Sequence, residues 1–219
     1  MSPARNGPTS STLAKTGRQR LPLVRAFDFT QRMRDVCQDV VARTPELAHV
    51  DLSRVAFSFC QARRRTSWGI YASLTPLRFK GGALTEVRRR RTYTIQRLFD
   101  RDGKEMLYIL SFYLPRFMDL SLDEKLVTVL HELWHISPAF DGDLRRHEGR
   151  CYAHTHSQAE YDARMAVLAR RWLAQNPPEP LWGFLRHSFD ALLREQERVV
   201  GVRIPRPKLL PAPMSSGTA

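Results

Sequence analysis

The segment Ser121–His154, SLDEKLVTVLHELWHISPAFDGDLRRHEGRCYAH, decides how the rest of the chain is read. Ser121 is followed three residues later by Glu124, the spacing of a capping box, so a helix is expected to start there. Leu122, Leu126, Val129, Leu130 and Leu133 recur at helical spacing and supply one apolar face. Pro138 stops the helix at about Ile136. Inside it, His131, Glu132 and His135 form H-E-x-x-H. Residues four apart on a helix share a face, so both imidazoles can reach one ion. Zn²⁺ accepts neutral imidazole nitrogen and prefers a tetrahedral site. Glu132 would project beside such an ion, where a carboxylate takes the proton of a metal-activated water. The expected site is therefore one zinc ion on His131 and His135, with Glu132 as general base.

A catalytic zinc needs a third protein ligand and one open position. In the loop ISPAFDGD (136–143), Pro138 and Gly142 let the chain reverse. That reversal favours His147 as the third ligand. Asp141, His154, His156 and Glu160 are its competitors, Glu160 because a carboxylate on the next helix also serves some zinc peptidases. Asp143 reads as a solvated loop acid, with the second role of orienting a ligand imidazole. His49 and His187 read as structural, and Trp134 as core.

Outward from this segment, AFDFTQRMRDVCQDVVART (26–44) has apolar residues at helical spacing and predicts an amphipathic helix. SRVAFSFCQARR alternates around Val55, Phe57 and Phe59 and predicts a strand. WGIYASLTPLRF, RTYTIQRLF and EMLYILSFYLPRF are further strands, the last the most apolar. The turn signal DRDG (100–103) makes the final two a hairpin. Ser157 with Glu160 predicts a second helix start, NPPEP breaks the chain, and a last helix is expected through LWGFLRHSFDALLREQERV. The order is an N-terminal helix, a mixed sheet of about four strands, the H-E-x-x-H helix and two further helices, an α+β layout.

The 219 residues suit one domain. Residues 1–20 read as a disordered basic tail, 21–204 as the single domain and 205–219 as a second disordered tail. No apolar run is long enough to span a membrane, and the N-terminus lacks the apolar stretch of a secretory signal. Cys37, Cys60 and Cys151 form no C-x-x-C pair, which argues for a reducing, cytoplasmic setting. Cys151 reads as a small buried residue rather than a ligand.

The segment LDEKLVTVLHELWHISPAFDGDLRRHEGRCYAH, with SQAEYDARM behind it, resembles a group of prokaryotic and phage metallopeptidases of the zincin type. It is similar, more loosely, to SprT-like zinc proteases. The closer likeness covers about residues 50–175; the looser one covers only the motif helix and the residues C-terminal to it. His131 and His135 match the ligand pair, Glu132 the general base, and His147 in HEG the downstream histidine that completes the SprT-like site. The metzincin extension requires Gly at 138 and His at 141, where this chain has Pro138 and Asp141, and the zinc ribbon of longer SprT-like proteins is absent. The resemblance implies a zincin-like fold in which a mixed sheet offers an edge strand to a peptide substrate, and the chemistry of a zinc peptidase.

Lys and Arg number 35 against 22 acids, a net charge of +13 that draws the chain towards polyanions. Arg63, Arg64 and Arg65, and Arg88, Arg89, Arg90 and Arg91, lie beside aromatics at strand ends, an arrangement that can grip nucleic-acid phosphates. The plain alternative is a solvated strand end. The expected partners are thus a peptide or protein substrate and, through these arginines, nucleic acid. The competing functional reading is a non-catalytic DNA-binding or regulatory protein with a structural zinc site.

Overall fold

The structure, a computed structural model, describes residues 26–61, 69–146, 158–196 and 198–212. The chain runs β1 (Ala26–Asp28), α1 (Phe29–Arg43), β2 (Val55–Gln61), β3 (Ala72–Pro76), β4 (Thr85–Arg88), β5 (Arg91–Ile95), β6 (Leu98–Phe99), β7 (Glu105–Met106) and β8 (Tyr108–Leu114). Then come α2 (Leu122–Trp134), α3 (Gln158–Ala174), α4 (Glu179–Trp182), α5 (Phe189–Gln196), β9 (Arg198–Val200) and β10 (Leu209–Pro211). This is an α+β arrangement with several small sheets.

The sheet that positions the site has the order β2-β8-β3. β8, YILSFYL, is almost wholly buried, which is why it is nearly continuous in apolar residues. β2 lies parallel to it, Val55 opposite Tyr108, and β3 antiparallel, Ala72 opposite Phe112. α1 buries Phe29, Met33, Val36, Cys37 and Val40 against this sheet, with Phe29 edge-on to Phe112 at 5.8 Å. α2 buries Leu126, Val129, Leu130 and Leu133 in the same core. Burying each such side chain contributes about 1.5–3 kcal/mol, so one continuous core ties sheet and motif helix together.

Several expectations need correction. The mixed sheet has three strands, not about four. The turn after Phe99 does join two strands, but these are the short β6 and β7; β5 pairs instead with β4 and β10. Both edges of β8 are already taken by β2 and β3, so RTYTI has no place beside it. The expected last helix is divided into α4, a 3₁₀ turn at Gly183–Arg186, and α5. His187 is extended and ends the 3₁₀ turn, and Ser188 Oγ accepts the Ala191 N–H at 3.3 Å to start α5. Residues 205–212, expected in a disordered tail, include β10, whose edge position tolerates Pro211. β1 and β9 form a parallel pair that the sequence patterns did not mark.

Candidate metal centre

α2 begins as expected. Ser121 accepts the Glu124 N–H, and the Glu124 carboxylate accepts the Ser121 N–H at 2.8 Å. The helix ends at Trp134, with His135 as its C-cap, one residue before Ile136 bridges to Leu144. His131 and His135 therefore occupy the last turn, on one face, with ring centroids 4.6 Å apart.

The loop after α2 reverses, as Pro138 and Gly142 predicted, and it is bolted down. Gly142 has φ +88°, and a Cβ there would stand 2.5 Å from Arg78 Cγ, so only glycine fits. The buried Tyr108 hydroxyl accepts the Gly142 N–H at 3.0 Å and donates to Asp143 O at 2.9 Å. Asp143 is buried and takes N–H bonds from Gly81, Leu144 and Arg146. It is therefore not a solvated loop acid. Trp134 is core, its indole held between the guanidinium groups of Arg145 at 4.4 Å and Arg164 at 4.3 Å.

Glu132 faces the sheet. Its Oε2 accepts the Leu74 N–H of β3 at 2.7 Å. Tyr113 N–H bonds Tyr71 O across to β8, so Tyr71, Ser73 and Thr75 point their backbone groups inward, and Ala72 and Leu74 point theirs outward. Among the described residues β3 is thus an edge strand, and the carboxylate sits against that edge. Burial holds the Glu132 carboxyl up at about 7, against the Leu74 N–H, which favours the ionised form. A base near neutral pH is well matched to proton transfer.

Beside His131 and Glu132 opens a cavity of about 1030 Å³, walled by Gly69–Ala72, by α2 and by Asp162, Ala163 and Ala166 of α3. Two α3 residues complete the pair's surroundings. Asp162 Oδ1 lies 3.5 Å from His131 Nδ1. The Tyr161 ring meets His131 edge-on at 4.7 Å and lies parallel to His135 at 6.0 Å. Neither Tyr161 nor Asp162 was picked out from sequence, although both lie in SQAEYDARM. The signal was present: Tyr161, Met165, Leu168, Ala169 and Trp172 recur at helical spacing and mark the buried face of α3.

Of the candidate third ligands, His147, His154 and His156 lie outside the described residues, as do Cys151 and Arg63–Arg65. Asp141 Oδ1 is turned into its own loop, where it accepts the Asp143 N–H at 3.1 Å. Glu160 is exposed on the first turn of α3. Among the described residues no three His, Cys, Asp or Glu side chains form a metal-holding group. The described donors are two imidazoles with a carboxylate beside one of them, which fits zinc as part of a ligand set. His187 pairs with Glu195 at 3.3 Å, far from this chemistry in the chain. Arg88–Arg91 form the tip of the β4–β5 hairpin, exposed, with Arg88 paired to Glu86.

No family model, curated protein or solved structure matches this chain. Among the described residues no helix is long and apolar enough to cross a membrane.

Proposed function

We propose that this protein is a zinc-dependent peptidase of zincin-like architecture. The observation that carries the reading is that His131 and Glu132 line one cavity beside the outward edge of β3, with the His135 ring 4.6 Å from that of His131. A structural zinc site has no use for a buried carboxylate bonded to an edge strand, and that is what favours catalysis over a regulatory, non-catalytic role.

His131, His135 and His147 would hold the zinc, which would supply Lewis acidity for a peptide carbonyl and for a water. The chain's own residues do the rest. Ala72 offers its outward N–H and C=O to an extended peptide, which adds to β3 as one more strand. Glu132 takes the proton of the attacking water and passes it to the departing amine. Asp162, 3.5 Å from His131 Nδ1, would orient that ring and leave its other nitrogen free for a metal. Nucleic acid remains a proposed partner only at the exposed hairpin arginines, Arg88–Arg91, with Arg63–Arg65 as the second run.

The test is elemental analysis together with turnover. Wild type is expected to hold about one zinc per chain and His147→Ala much less. Glu132→Gln is expected to keep its zinc and lose roughly 10²–10⁴-fold of casein hydrolysis. A zinc-free wild type, or unchanged hydrolysis by Glu132→Gln, removes the proposal.

A further inference from the structure

Along β3 two separate pockets, one at each end of the strand, carry opposite charge. Around Gly69–Ala72 the cavity is lined by Asp123, Glu124, Glu132 and Asp162, with no Lys or Arg among the described lining residues. That is unexpected in a chain of net charge +13. At the other end of the same strand, Thr75 and Pro76 open onto a second pocket of about 490 Å³. Its wall holds Arg78, Lys80, Arg88, Arg146, Arg206 and Lys208 against two acids, Glu86 and Asp143.

The basic pocket is assembled from three separate stretches of chain, and its backbone is fixed. The Gly81 N–H is held by Asp143 at 2.9 Å, which places Lys80. Gln96 and Lys208 exchange bonds, Gln96 N–H to Lys208 O at 2.8 Å and Lys208 N–H to Gln96 Oε1 at 3.3 Å. Part of the charge is already answered: Arg78 pairs with Glu105 at 2.6 Å, Arg146 with Asp143 at 2.8 Å, and Arg88 with Glu86. Lys80, Arg206 and Lys208 make no ion pair among the described residues, and all three are exposed. They are the cations left to meet a ligand.

We infer that the basic pocket at the end of β3 is a substrate subsite for an acidic side chain, and that the opposite charge of the two pockets sets the direction in which a peptide binds. The inference rests on the peptidase reading above. Glu132 meets β3 at Leu74, and the pocket lies at Thr75 and beyond. At about 3.3 Å per residue, the subsite receives a side chain about two to four residues from the scissile bond. An antiparallel ladder is the more stable form of strand addition. It places the acidic residues on the N-terminal side of the scissile bond, and basic or apolar residues on the C-terminal side, over the acidic cavity. A nucleic-acid strand is the poorer occupant: Phe79, the ring in the pocket wall, is buried and capped by Arg88 at 5.6 Å, so it offers no face for a base to stack on.

The experiment uses two fluorescent peptides of identical composition and reversed order, one with Glu residues N-terminal and Lys residues C-terminal to an apolar middle, the other the reverse. Binding to the full-length Glu132→Gln protein is read by anisotropy. The acid-first peptide is expected to bind about ten-fold more tightly than its reverse. Raising salt from about 0.05 M to about 0.5 M should shrink the difference. Lys80→Glu, Arg206→Glu and Lys208→Glu combined should abolish it, with the thermal midpoint unchanged because all three side chains are exposed. Equal binding of the two peptides, tighter binding of the reverse, a preference that survives the triple variant, or displacement of the peptide by oligothymidine at lower concentration than by unlabelled peptide each overturns the inference. Cleavage by wild type separates the two claims. Order-selective binding without cleavage sinks the peptidase reading and leaves the subsite, and cleavage without order selectivity does the opposite.

Discussion

Asp162 shows how much of this site depends on a residue that no motif names. An imidazole that binds a metal through one nitrogen is oriented by what its other nitrogen meets, and a carboxylate there also raises its basicity. Asp162 stands 3.5 Å from His131 Nδ1, and the neighbouring Tyr161 ring restricts both histidines. Asp162→Asn keeps the shape and removes the charge. It is expected to weaken zinc affinity by about 10–100-fold while leaving the far-ultraviolet circular dichroism unchanged. Competition against a chromophoric chelator measures this, and an affinity equal to wild type would show that Asp162 does not support the ligand. The grouping of His131, Glu132 and His135 was legible because their fixed spacing brings them together at the end of one helix. Asp162 was not, because its meaning comes from α3 lying across α2, which no local pattern encodes.

At the scale of elements, α2 was readable almost to the residue because a capping box, a helical apolar face and a proline are all local signals. The β4–β5 hairpin was not. Its turn residues, Arg89 at φ 49° and Arg90 at φ 64°, both occupy the left-handed region, the geometry of a tight two-residue turn. Asn-Gly is the usual signal for that turn, and RRRR gives none, so the run looked like charged strand ends. Holding a non-glycine residue there costs about 1–2 kcal/mol. Arg89→Asn with Arg90→Gly is therefore expected to stabilise the protein by about 1 kcal/mol in urea unfolding. A loss of stability would mean that the guanidinium groups repay the strain by contacts of their own. The division of the last expected helix has the same character: Ser188 starts α5 only because His187 is drawn out into an extended conformation, and what draws it is tertiary.

Across the whole molecule, the stretch after α3 wraps back over the domain, and Lys125 fastens that wrap to the motif helix. β9 pairs with β1, the Ile204 N–H donates to Ser58 Oγ at 2.9 Å, and β10 adds to β5. From the first turns of α2, the buried Lys125 ammonium donates to Leu185 O at 2.8 Å and His187 O at 2.9 Å. Nothing local marks Lys125 for burial, because a lysine in DEKL carries no sign that a distant segment will cover it. Burial lowers its pKa to about 8 from an ordinary 10.5, opposed by the charges of Asp119 and Glu124. Below pH 8 both folded and unfolded chains hold the proton, and the fold bears the full cost of a buried cation. Between about 8 and 10.5 the unfolded chain holds more of the proton, so folding releases it and stability rises with pH. Integrated over that window the gain is up to about 3 kcal/mol. Lys125→Met leaves two carbonyls without their donor but cannot titrate. Its stability deficit against wild type should therefore widen as pH rises from 7 to about 10, by an amount of that order. Urea unfolding of both proteins at the two pH values measures it. A deficit independent of pH would place the lysine in contact with solvent, and would loosen the argument that α2 is held both by the sheet and, through its first turns, by the segment around Leu185 and His187.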